Sequence, residues 1–380
     1  MIALWLAGAY LTLLIVKAAL TLRAARLAPQ PGDEKAADDV TIVQAILSGD
    51  PRLRETLEEN VRALPGARFV WLIDEDDPAA GGVCRELVAR YERTPIDVIV
   101  MPPPPARVNP KLFKLEAARQ LVGHRVFVVL DDDTRMPPES LSAMLAGLSA
   151  SQLTTGLPGY VDDGRWPSKL LAEFVNNNAA LTYLPLLNIW PPPTINGMAY
   201  AMRGATIDGL GGFTPVMDRL TDDLAVARLV LDAGGRVAQT ASPHWVQTTV
   251  TGHAHYWRLM HRWMLFGRLL LARQGPLQQA AIIVLNALPP LLLWAVVAAT
   301  AVTRAPAALG AALLVIALRA CVIAGIQRRV YGRWMHRPLY SLASEWLMPL
   351  HLAHAFVSNT IVWRTRRYRV RGDRSFELAS

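Results

Sequence analysis

From residue 40 onward the chain alternates short apolar runs with longer stretches whose apolar residues return every three or four positions. The runs "VTIVQAIL" (40–47), "ARFVWLI" (67–73), "IDVIVM" (96–101) and "HRVFVVL" (124–130) are apolar on successive positions, as strands buried on both faces are. Between them lie "RLRETLEENVRAL", "GVCRELVARYE", "PKLFKLEAARQLV" and "ESLSAMLAGL", stretches of ten to thirteen residues with helical periodicity. This alternation predicts an α/β fold, a mostly parallel sheet between layers of helices.

The flanks follow another pattern. "IALWLAGAYLTLLIVKAALTL" at the start is apolar all round and long enough to cross about 30 Å of hydrocarbon. No basic residue precedes it, and Lys17, Arg23 and Arg26 lie within or after it, which favours a retained anchor over a cleaved signal peptide. Apolar runs return at 280–302, 307–326 and 340–363. The first two read as spanning helices. The third carries Glu345 and Pro349 and has arginines on both sides, so charge counting does not orient it, and it reads as re-entrant or interfacial. The expected organisation is an anchor (1–26), a linker (27–39), a cytoplasmic domain (40–275), membrane segments (276–363) and a basic cytoplasmic tail (364–380).

Composition narrows the class. Of 380 residues, 52% are hydrophobic, too many for an ordinary soluble protein and too few for one that is all membrane. The net charge of +8 comes from basic residues clustered beside apolar segments. Anionic headgroups explain that placement better than nucleic acid does. Two cysteines, Cys84 and Cys321, imply no disulfide framework.

Two acidic clusters end strands: Asp74, Asp76 and Asp77 after "FVWLI", and Asp131, Asp132 and Asp133 after "VFVVL". Open parallel sheets bind ligands at that edge. Neighbouring strands would bring the clusters together, where like charges repel by several kcal/mol. Helix capping explains one carboxylate per helix. A divalent cation, Mg²⁺ or Mn²⁺, explains the whole set, and it completes its shell with phosphate oxygens. That points to a nucleoside-diphosphate substrate. Neither a G-x-x-x-x-G-K-[ST] loop nor a G-x-G-x-x-G turn follows a strand, so an NTPase or dinucleotide enzyme is unsupported. His253, His255 and His261 lack the i, i+4 spacing of a helical zinc pair.

Read in order, "DEDDPAA" (74–80), "NPK" (109–111), "LDDDTRMPPESL" (130–141), "TGLPGYVDD" (155–163), "INGMAYAMR" (195–203), "TDDLAVARLV" (221–230), "HRW" (261–263) and "IVWRTRRYRV" (361–370) resemble the ceramide glucosyltransferase family. These are membrane-bound, inverting glycosyltransferases of the GT-A type. The resemblance implies a GT-A domain, a UDP-sugar donor, a lipid hydroxyl as acceptor and a divalent cation. It implies donor-site roles for Asp74, Asp77, Asn109, Lys111 and Asp131, with Gly197 and Met198 beside the substrate, and metal ligation by Asp131 and Asp133. Asp223, next to Asp222, matches the general base. Arg262 and Trp263 match the end of the family's (Q/R)-x-x-R-W motif, whose first position is Leu259 here, with Arg258 one residue early. UDP-glucose and ceramide come first as substrates. Hopanoid, diacylglycerol or polyprenyl phosphate acceptors, and a non-catalytic scaffold or transporter, are the alternatives. The implied setting is a bacterial-type, multi-pass protein of the inner membrane with no nucleic-acid partner and an oligomeric state the sequence does not set.

Overall fold

A computed structural model describes every residue except 33–38, 106, 123–124, 364–365, 373–374 and 379–380. Part of the expected linker and of the expected tail therefore lies outside the described residues. The chain runs α1 (Ile2–Leu27), β1 (Val40–Ala45), α2 (Leu53–Ala63), β2 (Arg68–Asp74), α3 (Pro78–Arg90), β3 (Ile96–Met101), α4 (Pro110–Val122), β4 (Val126–Leu130), β5 (Thr134–Arg135) and α5 (Pro138–Gly147). It continues β6 (Leu153–Asp162), α6 (Trp166–Tyr183), β7 (Ala199–Arg203), α7 (Gly204–Gly209), α8 (Asp222–Asp232), β8 (Val237–Thr248), α9 (His253–Leu271), α10 (Pro276–Ile282), α11 (Leu288–Thr303), α12 (Pro306–Tyr331) and α13 (Pro338–Val357). Strands β9 (Thr360–Trp363), β10 (Arg366–Gly372) and β11 (Ser375–Leu378) close it as a small antiparallel sheet.

The main sheet has the order β3-β2-β1-β4-β7-β6-β8-β5. Strands β3, β2, β1 and β4 are parallel, and β7 runs antiparallel between β4 and β6. The unbroken apolar runs have the expected cause, since alternate residues feed opposite cores. Phe69, Trp71 and Ile73 meet α2, α3 and α5 on one face, while Val70 and Leu72 meet α4 on the other. A third core joins α6, α9 and the far end of β6 to the last turns of α1.

One expectation needs correcting. The acidic clusters do not end neighbouring strands, because β1 lies between β2 and β4. The chain winds outward from β1 to β2 and β3, then crosses back to place β4 on the other side of β1. That reversal opens a crevice at the carboxyl ends of β1 and β4, the usual ligand position in such sheets.

Three helices are long and apolar enough to cross a membrane: Ile2–Leu27, Pro306–Tyr331 and the continuous run Pro276–Thr303, which contains one π-helical turn at Ile283–Ala287. The segment expected at 340–363 is instead α13, which stops at Val357 and packs on α6 and α9. The β-branched "TIV" that follows turns into β9, and Ile361 and Val370 are buried against Leu220 and Leu265. The expected tail thus folds back onto the α/β domain.

Asn60 on α2 holds the loop that follows the second acidic cluster. Its side chain donates to the Thr134 carbonyl (2.8 Å) and accepts from the Met136 amide (2.9 Å), in full burial. Replacing it by Leu leaves both backbone groups unsatisfied. Asn60→Leu is expected to cost about 2–4 kcal/mol, read as a lower unfolding temperature; an unchanged unfolding temperature would contradict this anchoring role.

Candidate active site

Helix α4 begins with the sequence Asn-Pro-Lys for a local reason. The Asn109 side chain accepts from the amides of Lys111 (3.0 Å) and Leu112 (3.2 Å), and Pro110, which has no N–H to leave unpaired, takes the first helical position. The Asn109 amide group then donates to the carbonyls of Arg219 (3.0 Å) and Leu220 (3.3 Å). This ties the start of α4 to the loop that enters α8. Asn109 is fully buried, so it positions its neighbours and does not face a ligand.

The result is a lysine between two acidic segments. The Lys111 ammonium lies 2.6 Å from Asp131 Oδ1 at the end of β4, 3.1 Å from Asp222 Oδ2 at the start of α8, and 2.7 Å from the Gly197 carbonyl. Burial works to lower its pKa, but Asp131 and Asp222 beside it hold it well above the ordinary lysine value. One turn along α4, Lys114 pairs with Asp74 (2.8 Å) and is itself buried. Each acidic cluster is therefore met by a lysine of α4.

Gly197 is needed here for space. A Cβ on it would stand 3.1 Å from Asp223 Cβ, closer than side chains normally pack. Its absence lets the first turn of α8 approach the loop before β7. The Met198 carbonyl accepts from the Asp131 amide (2.9 Å), which fixes that loop to the end of β4.

These elements enclose a cavity of about 510 Å³. Lys111, Asp131, Asp132, Asn196, Asp222 and Asp223 line one part of it. The other part is largely apolar, walled by Phe174, Val175 and Ala179 of α6 and by Trp263, Phe266 and Leu270 of α9. Trp263 stacks on Phe174 and meets Tyr160 edge-on. Arg262 lies at the junction. Its Nε is buried and makes no hydrogen bond among the described residues, and desolvation lowers its pKa from the usual arginine value. A partly buried guanidinium with a free donor is a ready anion site.

Of the residues singled out from the sequence, Lys111, Asp131, Gly197, Met198, Asp222, Asp223, Arg262 and Trp263 line the cavity. Asp74, Asp77, Asn109 and Asp133 are not among its lining residues. Asp77 caps α3 through the Ala80 amide (3.0 Å) and also accepts from the Ser48 amide (2.7 Å), so it is both a helix cap and a tie to the loop after β1. Those backbone bonds outweigh its burial and keep it ionised. Asp133 accepts from the Thr134 hydroxyl (3.0 Å), and burial together with Asp131 and Asp132 raises its pKa well above the carboxylate range.

The departure at Leu259 also finds its place. Leu259 packs in the α6–α9 core, and Arg258 is exposed to solvent, so Arg258 does not stand in for the missing polar residue. Sequence reasoning missed Lys114, Tyr160, Tyr183 and Asn196. Lys114 had a signal, since it repeats Lys111 three residues on, along one face of a helix. Tyr160 and Asn196 lie within the quoted motifs at 155–163 and 195–203 without having been singled out, and Tyr183 had no local signal, because distant segments bring it to the cavity.

Among the described residues no group of three or more His, Cys, Asp or Glu could hold a metal by itself. The donors at the end of β4 still suit a hard cation that takes most of its ligands from phosphate and water, as Mg²⁺ does with one or two carboxylates.

A mannosyltransferase from Pyrobaculum calidifontis, PcManGT, solved with GDP-Man and Mn²⁺, matches with a TM-score of 0.52 and 17% identity, covering 94% of this chain and 97% of its own. S. aureus TarS 1–349, solved with UDP-GlcNAc, matches with a TM-score of 0.38 and 10% identity, covering 89% of this chain and 99% of its own. No curated protein matches the sequence. The sequence pattern of glycosyl transferase family 21 matches residues 4–376, nearly the whole chain. The chain belongs to glycosyl transferase family 21 and is a glycosyltransferase.

Proposed function

We propose that the protein transfers glucose from UDP-glucose, with inversion, to the hydroxyl of a membrane lipid, ceramide before others. The observation that carries this reading is the two-sided cavity. Its charged part suits a nucleoside diphosphate, its apolar part suits an acyl-chain acceptor, and Asp223 and Arg262 line the same space. Family membership sets aside a non-catalytic scaffold or a transporter. The three long apolar helices support a membrane setting with the α/β domain on the cytoplasmic side, the side given by Arg23 and Arg26 near the C-terminal end of α1.

Each residue then has a task. Lys111 and the Gly197–Met198 loop hold the donor at the end of β4. Asp131 and Asp133 would hold Mg²⁺ or Mn²⁺, a reading that the Mn²⁺ bound to PcManGT favours. Bound there, the cation supplies positive charge to the diphosphate. Asp223, in the first turn of α8, where the helix dipole favours a carboxylate, takes the proton of the acceptor hydroxyl. The freed oxygen bonds to the anomeric carbon from the face opposite the nucleotide. The bond from that carbon to the diphosphate oxygen breaks, and UDP leaves with the electron pair. Arg262, whose Nε makes no hydrogen bond among the described residues, offers its guanidinium to the charge that develops on the leaving group. Trp263, held by Tyr160 and Phe174, walls the acceptor side.

The direct test is incubation of the full-length protein with labelled UDP-glucose and, separately, ceramide, diacylglycerol, hopanoid and polyprenyl phosphate. Labelled glucosylceramide is expected; label in another lipid moves the acceptor assignment, and label in none contradicts the reading. Asp223→Asn is expected to lower kcat at least about 100-fold while the unfolding temperature holds. Arg262→Met is expected to lower kcat by about 100-fold to 1000-fold, with a smaller change in donor KM. Lys111→Met removes the cation between Asp131 and Asp222. It should cost the ligand-free protein about 1–3 kcal/mol, and added Mn²⁺ should raise the unfolding temperature of this variant more than that of the wild type. Equal Mn²⁺ responses would contradict the assignment of this edge to a cation and a diphosphate.

A further inference from the structure

The cavity wall at α6 leads to a second polar group that the transfer reaction leaves unused. Thr182, which lines the cavity, donates to Asn286 Oδ1 (3.2 Å), and the same oxygen accepts from Lys17 Nζ of α1 (3.0 Å). Asn286 stands in the π-helical turn just before Pro289 and Pro290. Those prolines lack the N–H groups that an α-helix would offer to the carbonyls of Leu285 and Asn286, and π turns of this kind concentrate at functional sites.

Lys17 lies in the body of a 26-residue apolar helix and is only 5% exposed. An ammonium carries three donors, and Asn286 takes one of them. Lys17 faces a small cavity of about 40 Å³, large enough for an ordered water or a single carbonyl group. Asn178, Asn286, Arg319 and Glu345 also line it. Arg319 pairs with Glu345, which also accepts from the Tyr10 hydroxyl. Two cations, Lys17 and Arg319, against one anion, Glu345, leave one positive charge in excess. Ionisable groups at such depth are costly and usually mark a substrate path. Asn178 lines both the small cavity and the large one, so the two share a wall.

We propose that Lys17, supported by Asn286 and Thr182, is a headgroup subsite for the acceptor lipid and binds a carbonyl oxygen next to the reacting hydroxyl. This inference rests on the lipid-acceptor reading above. It assigns the membrane helices a part in choosing the acceptor: a lipid with an amide or ester carbonyl beside its hydroxyl is held, and one without it is not.

The test uses full-length protein in phosphatidylcholine nanodiscs, with UDP-glucose as donor and ceramide or 1,2-diacylglycerol as acceptor. Lys17→Met is expected to raise acceptor KM about tenfold, the loss of one charge-assisted hydrogen bond, with donor KM and kcat little changed. Lys17→Arg should restore acceptor KM, and Thr182→Val should move it in the same direction as Lys17→Met, by less. An unchanged acceptor KM in Lys17→Met would overturn the proposal, as would kcat and both KM values worsening together with a lower unfolding temperature, the mark of a purely structural lysine. A wild type active on a lipid whose Lys17→Met variant behaves in either way sinks this inference alone. A wild type that glucosylates neither lipid sinks the lipid-acceptor reading and this inference together.

Discussion

One ammonium holds the charged edge of the cavity together. Lys111 touches β4, the loop before β7 and the start of α8 at once, through Asp131, the Gly197 carbonyl and Asp222. Without that positive charge the carboxylates would repel across a few ångströms of partly desolvated space, at a cost of several kcal/mol. With it, three segments distant in sequence share one corner of a cavity. Everything proposed for the reaction follows from that placement. Asp223 sits beside Asp222, the Gly197 gap admits the turn that carries both, and Asn109 fixes the lysine by capping the helix it stands on. Lys111 and Lys114 thus meet part of the electrostatic demand that the two acidic clusters create.

How much of this could be read beforehand depends on how local each signal is. Strands β1 to β4 and helices α2 to α5 were legible because periodicity and length separate buried strands from amphipathic helices. The capping roles of Asp77 and Asn109 were also written locally, since each precedes a proline at a helix start. The separation of β2 from β4 by β1 was not, because sheet order arises from where the chain reverses and leaves no mark within a strand. The pairing of Lys114 with Asp74, the orphaned Arg262 Nε and the convergence of Tyr160, Tyr183 and Asn196 are non-local in the same sense. The end of α13 was misread for a different reason: apolar character alone carried the expected segment through "TIVW", whose β-branched residues form a strand on the α/β domain.

The cavity lies where two kinds of packing meet. On one side the sheet presents fixed charges at its carboxyl edge. On the other, α6 and α9 present aromatic and aliphatic side chains, braced by α13, and α6 reaches α1, the first of the long apolar helices. Under the proposed function, such a site holds a water-soluble donor and a bilayer-soluble acceptor without either leaving its own medium. The polar line from Thr182 through Asn286 to Lys17 extends that logic into the helices.

The most direct measurement of the central claim is a structure of the full-length protein with UDP-glucose and Mn²⁺. The account places the metal at Asp131 and Asp133 and the diphosphate within hydrogen-bonding reach of Lys111 and Arg262. A nucleotide seated elsewhere, with Lys111 still bound to Asp131 and Asp222 and no metal at the end of β4, would contradict it.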